Sequence, residues 1–305
     1  MGVTSHQGCG QRRSRAKGLR LDQFHDTQTR LALGRIVEKS MNNVSEEMKH
    51  LHKLATRNPG KRFDHLWELA TDPQWLMQAW EEIRMNKGSM TAGIDSTIAT
   101  DIDPERIQRL SERLKTGKYR PKPVRRVYIP KSNGKMRPLG IPTLEDRIVQ
   151  QALRMILEPI FEADFYACSH GFRRNRSTHT ALRDAARMFP QTTWTIEGDI
   201  VGCFDNIPHG KLMKAVEQRI ADEKVLKLTQ AFLAAGYLEQ WQYHKTYSGT
   251  PQGGVLSPLL CNIFLHQLDE HMMKDLRANK TQSKRVENAR RNPEYRKIES
   301  KITRL

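Results

Sequence analysis

The spacing of apolar residues changes several times along the chain, and each change marks an element. Residues 24 to 56 set Leu31, Leu33, Ile36 and Val37 ahead of a charged run and predict a helix. Residues 64 to 85 predict two helical pieces broken near Pro73. Asp72 can cap the second, because its side chain can accept from the free N–H groups of a first turn. NKGSMTAGIDSTIAT, residues 86 to 100, is built of small and turn-forming types and reads as a loop, and residues 104 to 116 return to helix. The texture then changes. KYRPKPVRRVYIPKSNGKMRPLGIP, residues 118 to 142, carries five prolines and an alternation in which Val127 and Ile129 point one way, Arg126 and Tyr128 the other. With SNG at 132 to 134 as the turn, it predicts two strands joined by a basic loop. A helix follows over 143 to 158. Its stripe of Leu144, Ile148, Val149, Ala152, Leu153, Ile156 and Leu157 is expected to be core.

In the second half, SHGFRRNRSTHTALRDAARM is a basic loop entering a helix, and TWTIEGDI is a strand. IPHGKLMKAVEQRI is a helix with Pro208 near its first turn, and residues 242 to 248 can form a strand. TYSGTPQGGVLSPLLCNIFLHQLDEHM, residues 246 to 272, runs from a tight polar turn straight into a helix. Leu256, Leu259, Leu260, Ile263, Phe264 and Leu268 hold helical spacing there and are assigned to the core. From 274 a polar tail carries 11 basic and 4 acidic residues, a net of +7. A helical N-terminal region followed by a mixed domain of helices and strands is the expected organisation.

Composition narrows the partners. The 305 residues carry a net charge of +17, and a surface this basic draws polyanions and releases their counterions on binding. Nucleic acid is the first candidate and a membrane surface the second, although no apolar run approaches the length of a bilayer span. At 37% hydrophobic residues the core is lean. Cys9, Cys168, Cys203 and Cys261 form no CxxC pair and no metal-ligand spacing, which suits reduced thiols. There is no apolar secretion signal; QRRSRAKGLR, residues 11 to 20, could be a transit peptide, an arm touching RNA or a disordered tail.

Three stretches carry candidate chemistry. In a strand over TWTIEGDI, Glu197 and Asp199 share a face. A carboxylate at a strand end before a Gly-containing turn can hold a divalent metal, for which Mg²⁺ takes oxygen ligands, or it can simply form the turn. TPQGG sets a flexible backbone and the Gln252 amide at the mouth of a helix, where N–H groups can meet phosphate or a base. Lys131 and Arg137 flank the SNG turn and can clamp a triphosphate or stand as solvated charges.

In order, YIPKSNGKMRPLGIPTLEDRIVQQAL, SHGFRRNRSTHTAL, TIEGDIVGCFDNIPH and GTPQGGVLSPLLCNIFLHQLD resemble the group II intron reverse transcriptase and maturase family, over roughly residues 75 to 272. NKGSMTAGID resembles that family's N-terminal extension. The resemblance implies an α+β right-hand polymerase: a basic, partly helical or disordered region over 1–60, a helical N-terminal extension over 61–117, fingers over 118–190, part of the palm over 191–273 and a basic tail or insertion over 274–305. It implies that Asp199 is a catalytic, metal-binding aspartate, with the Ile200 carbonyl a further ligand. Phe204 would block a ribose 2′-OH, Lys131 and Arg137 would clamp the incoming dNTP, and Gln252 and Gly253 would pack by the nascent base pair. Arg84, Lys87, Arg125, Arg126, Arg173, Arg174 and Arg176 are candidate RNA-phosphate contacts.

The sequence departs from the family at one point. The family's Tyr-Ala-Asp-Asp motif is missing, since no two Asp residues are adjacent. Its two-Mg²⁺ site is therefore incomplete in this chain, and neither Glu197 nor Asp205 is placed to replace the lost carboxylates. The thumb or maturase domain is missing as well. The expectation is an RNA-directed DNA polymerase segment that acts on an RNA template, a DNA primer and dNTP, serves intron RNA and needs a downstream fragment for activity. Alone, it should expose apolar surface and an unpaired strand edge. The alternatives are a non-catalytic splicing cofactor that grips intron RNA, or a retron, diversity-generating or defence-type reverse transcriptase. A bacterial cytoplasm or an organelle matrix is the expected location.

Overall fold

The structure is a computed structural model that describes residues 43–130, 134–191, 195–250 and 253–280. All of the described residues but Asn43 belong to one compact unit, residues 44–305. Lys131, Gln252, Trp194, the first part of the expected 24–56 helix and the tail beyond 280 lie outside the described residues.

Residues 44–57 are helical (α1). α2 (Trp67–Thr71) and α3 (Pro73–Arg84) follow, broken at Pro73 as expected. Asp72 accepts from the backbone N–H groups of Gln74 and Trp75. A loop containing a short 3₁₀ turn (Ala99–Asp101) leads to α4 (Pro104–Lys115), capped by Asp103. β1 (Val124–Pro130) and β2 (Met136–Ile141) form the expected antiparallel hairpin, with Val127 opposite Leu139. Only its base is buried, at Val124 and Gly140. Tyr128, Ile129 and Met136 are exposed, so the alternation sorts no core face along the outer half.

α5 (Leu144–Glu162) departs from the amphipathic reading. Every residue except Glu145, Arg154 and Glu162 is buried. Its apolar side chains fill the core, and its polar ones are buried against other elements. Asp146 accepts from the Tyr119 hydroxyl and, at 3.2 Å, from Lys122 N–H. Burial pushes both the Tyr119 phenol and the Asp146 carboxyl above their ordinary values. Arg147 donates to the carbonyls of Pro142 and Gly88, each at 3.0 Å, and to that of Thr91. On another face of α5, α3 packs closely, with the Trp75 indole N–H on the Ala152 carbonyl at 3.0 Å.

α6 (Thr178–Met188) begins at the capping box of Ser177 and Thr180 and buries no residue. α7 (Cys203–Asn206), α8 (His209–Glu217) and α9 (Glu223–Ala234) precede β3 (Tyr237–Glu239) and β4 (Gln242–His244). β3 pairs parallel with β1 and antiparallel with β4, giving the order β2-β1-β3-β4. The strand expected over 242–248 stops at His244. α10 (Ser257–Lys280) runs past 274, so the basic tail starts as helix. Leu256, Leu259, Leu260 and Ile263 are core as expected, but Leu268 is exposed, because by that turn the helix has run beyond the elements that cover it.

The strand expected at TWTIEGDI does not form over its described residues, 195–200. Residues 195–200 carry no regular structure and are exposed, and Ile196 is 96% exposed. Among the described residues no strand pairs with this segment, and a backbone without a ladder partner is not a strand. The shared face of Glu197 and Asp199 loses its basis accordingly.

The N-terminal part of this unit is closed by residues far along the chain. Phe63 N–H donates to the Arg219 carbonyl and Ala221 N–H to the Phe63 carbonyl, both at 2.7 Å. Trp67 N–H donates to the Asp222 carboxylate at 2.8 Å, and Arg219 reaches the Ala55 carbonyl at 3.2 Å and Asp164 at 2.5 Å.

Glu145 joins α4 to α5 by accepting from Arg106 at 3.0 Å and Arg113 at 2.8 Å. Burial pushes its carboxyl up, but the hydrogen bonds of Arg113 and Arg106 outweigh burial and hold it below the ordinary value. A lowered native pKa means stability that is present above the unfolded-state value and is lost as pH falls through the native one. Glu145→Gln is therefore expected to destabilise the protein by about 1–3 kcal/mol at neutral pH. In denaturant melts the gap from the parent chain should narrow below about pH 4.

Candidate active site

The turn that follows Asp199 is held against the segment that leads into TPQGG. Gly202, at φ +60°, reverses the chain after 195–201 and opens α7, and Asn206 donates back to the Val201 carbonyl at 3.2 Å. Thr250 N–H then donates to the Phe204 carbonyl at 2.7 Å and Gly249 N–H to the Ile207 carbonyl at 2.8 Å. The Ser248 hydroxyl donates to the Asp205 carbonyl at 3.2 Å, and His209 Nε2 donates to the Gly249 carbonyl at 2.7 Å. Gly249 is required here. Its φ is +84°, and a Cβ would lie 2.7 Å from the Asp205 carbonyl and 2.8 Å from that of Phe204.

On its other side the TPQGG turn meets the hairpin. Gly253, at φ +104°, lies against the Gly140 carbonyl and the Leu139 side chain of β2, closer than a Cβ would allow. Behind the turn, buried Gln150 accepts from Val255 N–H at 2.9 Å and from Leu256 N–H at 3.4 Å, which satisfies the backbone just before α10. The basic loop joins from a third direction. Asn262 of α10 donates to the Gly171 carbonyl at 2.8 Å, and Phe172 meets Phe204 edge-on at 6.1 Å. Cys203 and Cys261 touch at 3.6 Å as thiols, and burial with the Cys203 contact pushes Cys261 up to about 12. A cleft of about 450 Å³ opens beside this junction, walled by Arg126, Asp205, Tyr237, Tyr247 and Gly249. The buried Thr250 hydroxyl on its wall has no hydrogen-bond partner.

The expected site residues are distributed unevenly over this geometry. Asp199 and Ile200 are exposed on the segment before the junction, and half-buried Phe204 lies within it. Gly253 sits at the contact with β2, and exposed Arg137 lies opposite Ile129 on the hairpin. Among the expected phosphate contacts, Lys87 is exposed, Arg84 pairs with Glu81 at 2.5 Å and Arg174 with Glu158 at 3.1 Å. Arg176 donates to the Ala167 carbonyl, and Arg125 holds the Ala92 carbonyl at 2.7 Å. Arg126 lies 3.4 Å over the Tyr237 ring. Arg173 is corrected: it is 8% exposed, and its guanidinium is taken up by Glu162 and by the carbonyls of Tyr166 and Ser169. It builds the basic loop, with all three guanidinium nitrogens donating inside the protein. Gln150 carries no signal of this role in the sequence, and Gly249 and Thr250 appear there only as members of the GTPQGG turn run.

Glu197, Asp199 and Asp205 are the exposed carboxylates on the segment and turn before the junction. Among the described residues no group of three or more His, Cys, Asp or Glu side chains could hold an ion, so these residues alone do not fit a two-metal centre. Nor is any helix of the described residues long and apolar enough to cross a membrane.

Residues 129–285, just over half of the chain, match the model of the reverse transcriptase (RNA-dependent DNA polymerase) family. The chain belongs to that family, whose members use divalent metal ions, and within it to the group II intron branch. It is 46% identical over 260 residues to the group II intron-encoded protein LtrA of Lactococcus lactis subsp. cremoris, covering 85% of this chain and 43% of LtrA. It is 42% identical over 237 residues to protein YkfC of Escherichia coli (75% of this chain, 62% of YkfC). A putative COX1/OXI3 intron 2 protein of Saccharomyces cerevisiae is 36% identical over 262 residues, covering 85% of this chain and 31% of its own. The chain thus spans less than half the length of LtrA.

Gly249→Ala is expected to destabilise by about 1–3 kcal/mol, because it places a side chain at positive φ against two carbonyls. Gly210→Ala, inside α8 with open space at the Cβ, should instead stabilise by up to about 1 kcal/mol. Thermal melting of the two variants checks the opposite signs.

Proposed function

We propose that this chain supplies the fingers and part of the palm of an RNA-directed DNA polymerase that serves a group II intron. The observation that carries the reading is the convergence on one junction of the turn after Asp199, the TPQGG turn, the basic loop and the β1–β2 hairpin. In this reading Asp199 and the Ile200 carbonyl contribute to holding Mg²⁺. Phe204 lies against the sugar of an incoming deoxynucleotide, Lys131 and Arg137 take its triphosphate, and Gln252 and Gly253 border the new base pair. A bound divalent ion would supply charge stabilisation for the attacking and leaving oxygens, and Asp199 with the Ile200 carbonyl would help to hold it. The remaining carboxylates come from another segment or polypeptide, together with the rest of the palm and the thumb. Arg84, Lys87, Arg125, Arg126, Arg174 and Arg176 border the RNA, and intron RNA, an RNA template, a DNA primer and dNTP are the partners.

Exposed Ile196, Ile200 and Val201 support the need for a covering segment, since an apolar, unpaired stretch beside the metal-binding residue gains a ladder when one docks. The same exposure also admits a second reading, a non-catalytic cofactor that binds intron RNA during splicing.

Primer extension on an RNA template separates the two. The chain alone is expected to give little or no product. With a polypeptide supplying an Asp-Asp palm hairpin and thumb from a family member, extension should appear, and Asp199→Asn should abolish it, a loss of at least about a thousandfold. Intron RNA binding without extension in any combination would leave the cofactor reading.

A further inference from the structure

β3 and β4 are joined by two residues, Gln240 and Trp241, both in the left-handed region at φ +49° and +65°. A tight hairpin turn of this kind normally takes Asn or Gly, because other side chains are strained there. A tryptophan at such a position is unusual, and here the fold gains nothing from it, since Trp241 is 89% exposed. Strain that contributes nothing to packing points to use of the side chain.

The surroundings indicate what it touches. A cavity of about 500 Å³ lies between this turn and the loop at 92–96, bordered by Trp241, Leu238, Arg125 and Arg126. Arg125 fixes the loop by donating to the Ala92 carbonyl. Arg126 lies on Tyr237, which stacks in turn on His244 at 4.9 Å, and Arg126 Nε is buried with no hydrogen-bond partner. Just beyond β4, Lys245 lies 5.2 Å over the ring of exposed Tyr247. Three acids lie nearby, and one of them, Asp205, shares the wall of the neighbouring cleft with Arg126 and Lys245. Glu239 accepts from the Tyr128 hydroxyl at 2.5 Å, and Asp95 faces Lys122 at 3.9 Å. Flat exposed rings with cations beside them suit a chain of phosphates that carries unpaired bases.

We propose that the β3–β4 turn is a stacking platform for single-stranded nucleic acid, with an unpaired base on Trp241 and its phosphate at Arg126. This rests on the reading of the chain as a nucleic-acid-binding polymerase segment and assigns a contact within it.

The test uses the 305-residue chain and a fluorescein-labelled single-stranded oligoadenylate, followed by fluorescence anisotropy. An abasic strand of equal length and an oligodeoxyadenylate serve as second and third probes. Trp241→Ala should weaken oligoadenylate binding about tenfold and change abasic binding little, because stacking and not charge is lost. The salt dependence should keep its slope, since no phosphate contact is removed. Trp241→Phe should retain most of the affinity. Trp241→Gly should bind as weakly as the alanine variant while melting at the same or a higher temperature, because glycine relieves the turn. That pairing excludes misfolding as the cause. The strand, RNA or DNA, that loses affinity identifies the ligand. If the parent chain binds but the alanine and glycine variants bind equally well, the platform is overturned and the polymerase reading stands. If the parent chain binds none of the strands, both fall. A change in self-association with unchanged affinity for the strands would make Trp241 a protein contact and overturn the proposal.

Discussion

Helix α5 has no face to spend on solvent, and the rest of the unit follows from that constraint. A buried polar side chain must find a partner or carry the cost of desolvation, and each partner that α5 recruits is a different piece of the molecule. Asp146 takes up the approach to β1 through Tyr119 and Lys122. Arg147 gathers the 88–91 loop by its carbonyls. Gln151 reaches Glu82 of α3 at 2.6 Å, and Glu158 receives Arg174 of the basic loop. Gln150 completes the backbone before α10. Five polar residues in just over three turns therefore set where the extension loop, the hairpin, the basic loop and the TPQGG turn lie. The junction that we read as an active site is the place where the hairpin, the basic loop and the TPQGG turn meet the turn after Asp199. Its geometry is inherited from the interior of the protein.

Much of this was legible where physics is local. The break at Pro73 with its Asp72 cap, the β1–β2 hairpin and the helix behind TPQGG were each marked by a few adjacent residues whose preferences do not depend on distant contacts. The collinear motifs identified the family for the same reason. What failed was whatever depended on a neighbour. TWTIEGDI alternates like a strand, but a strand exists only beside another, and among the described residues none pairs with it. Leu268 holds the helical period and is exposed, because the period tells which side of a helix faces inward and not where the covering elements end.

The charged residues show the same limit. Arg125, Arg126 and Arg173 look alike as letters. In the structure the first holds a loop carbonyl, the second stacks on a tyrosine, and the third is buried with Glu162. Spacing could not separate these fates, because each depends on an acceptor or ring brought from elsewhere. Gln150 is the plainest case: a polar residue on an apolar helix is usually expected to face water, and this one holds the turn beneath the site.

The parallel bridge between Phe63 and Ile220, with Arg219 on the Ala55 carbonyl and Asp222 on Trp67, closes the start of this unit with residues more than 150 positions later. A ribosome adds roughly 5–20 residues per second. Residues 55–67 therefore wait on the order of ten to thirty seconds after synthesis before their partners exist. Through that interval Ala55, Phe63 and Leu66, all core residues in the finished protein, remain open to the cell. The fold is assembled late in translation, and its early segments depend on whatever shields nascent chains.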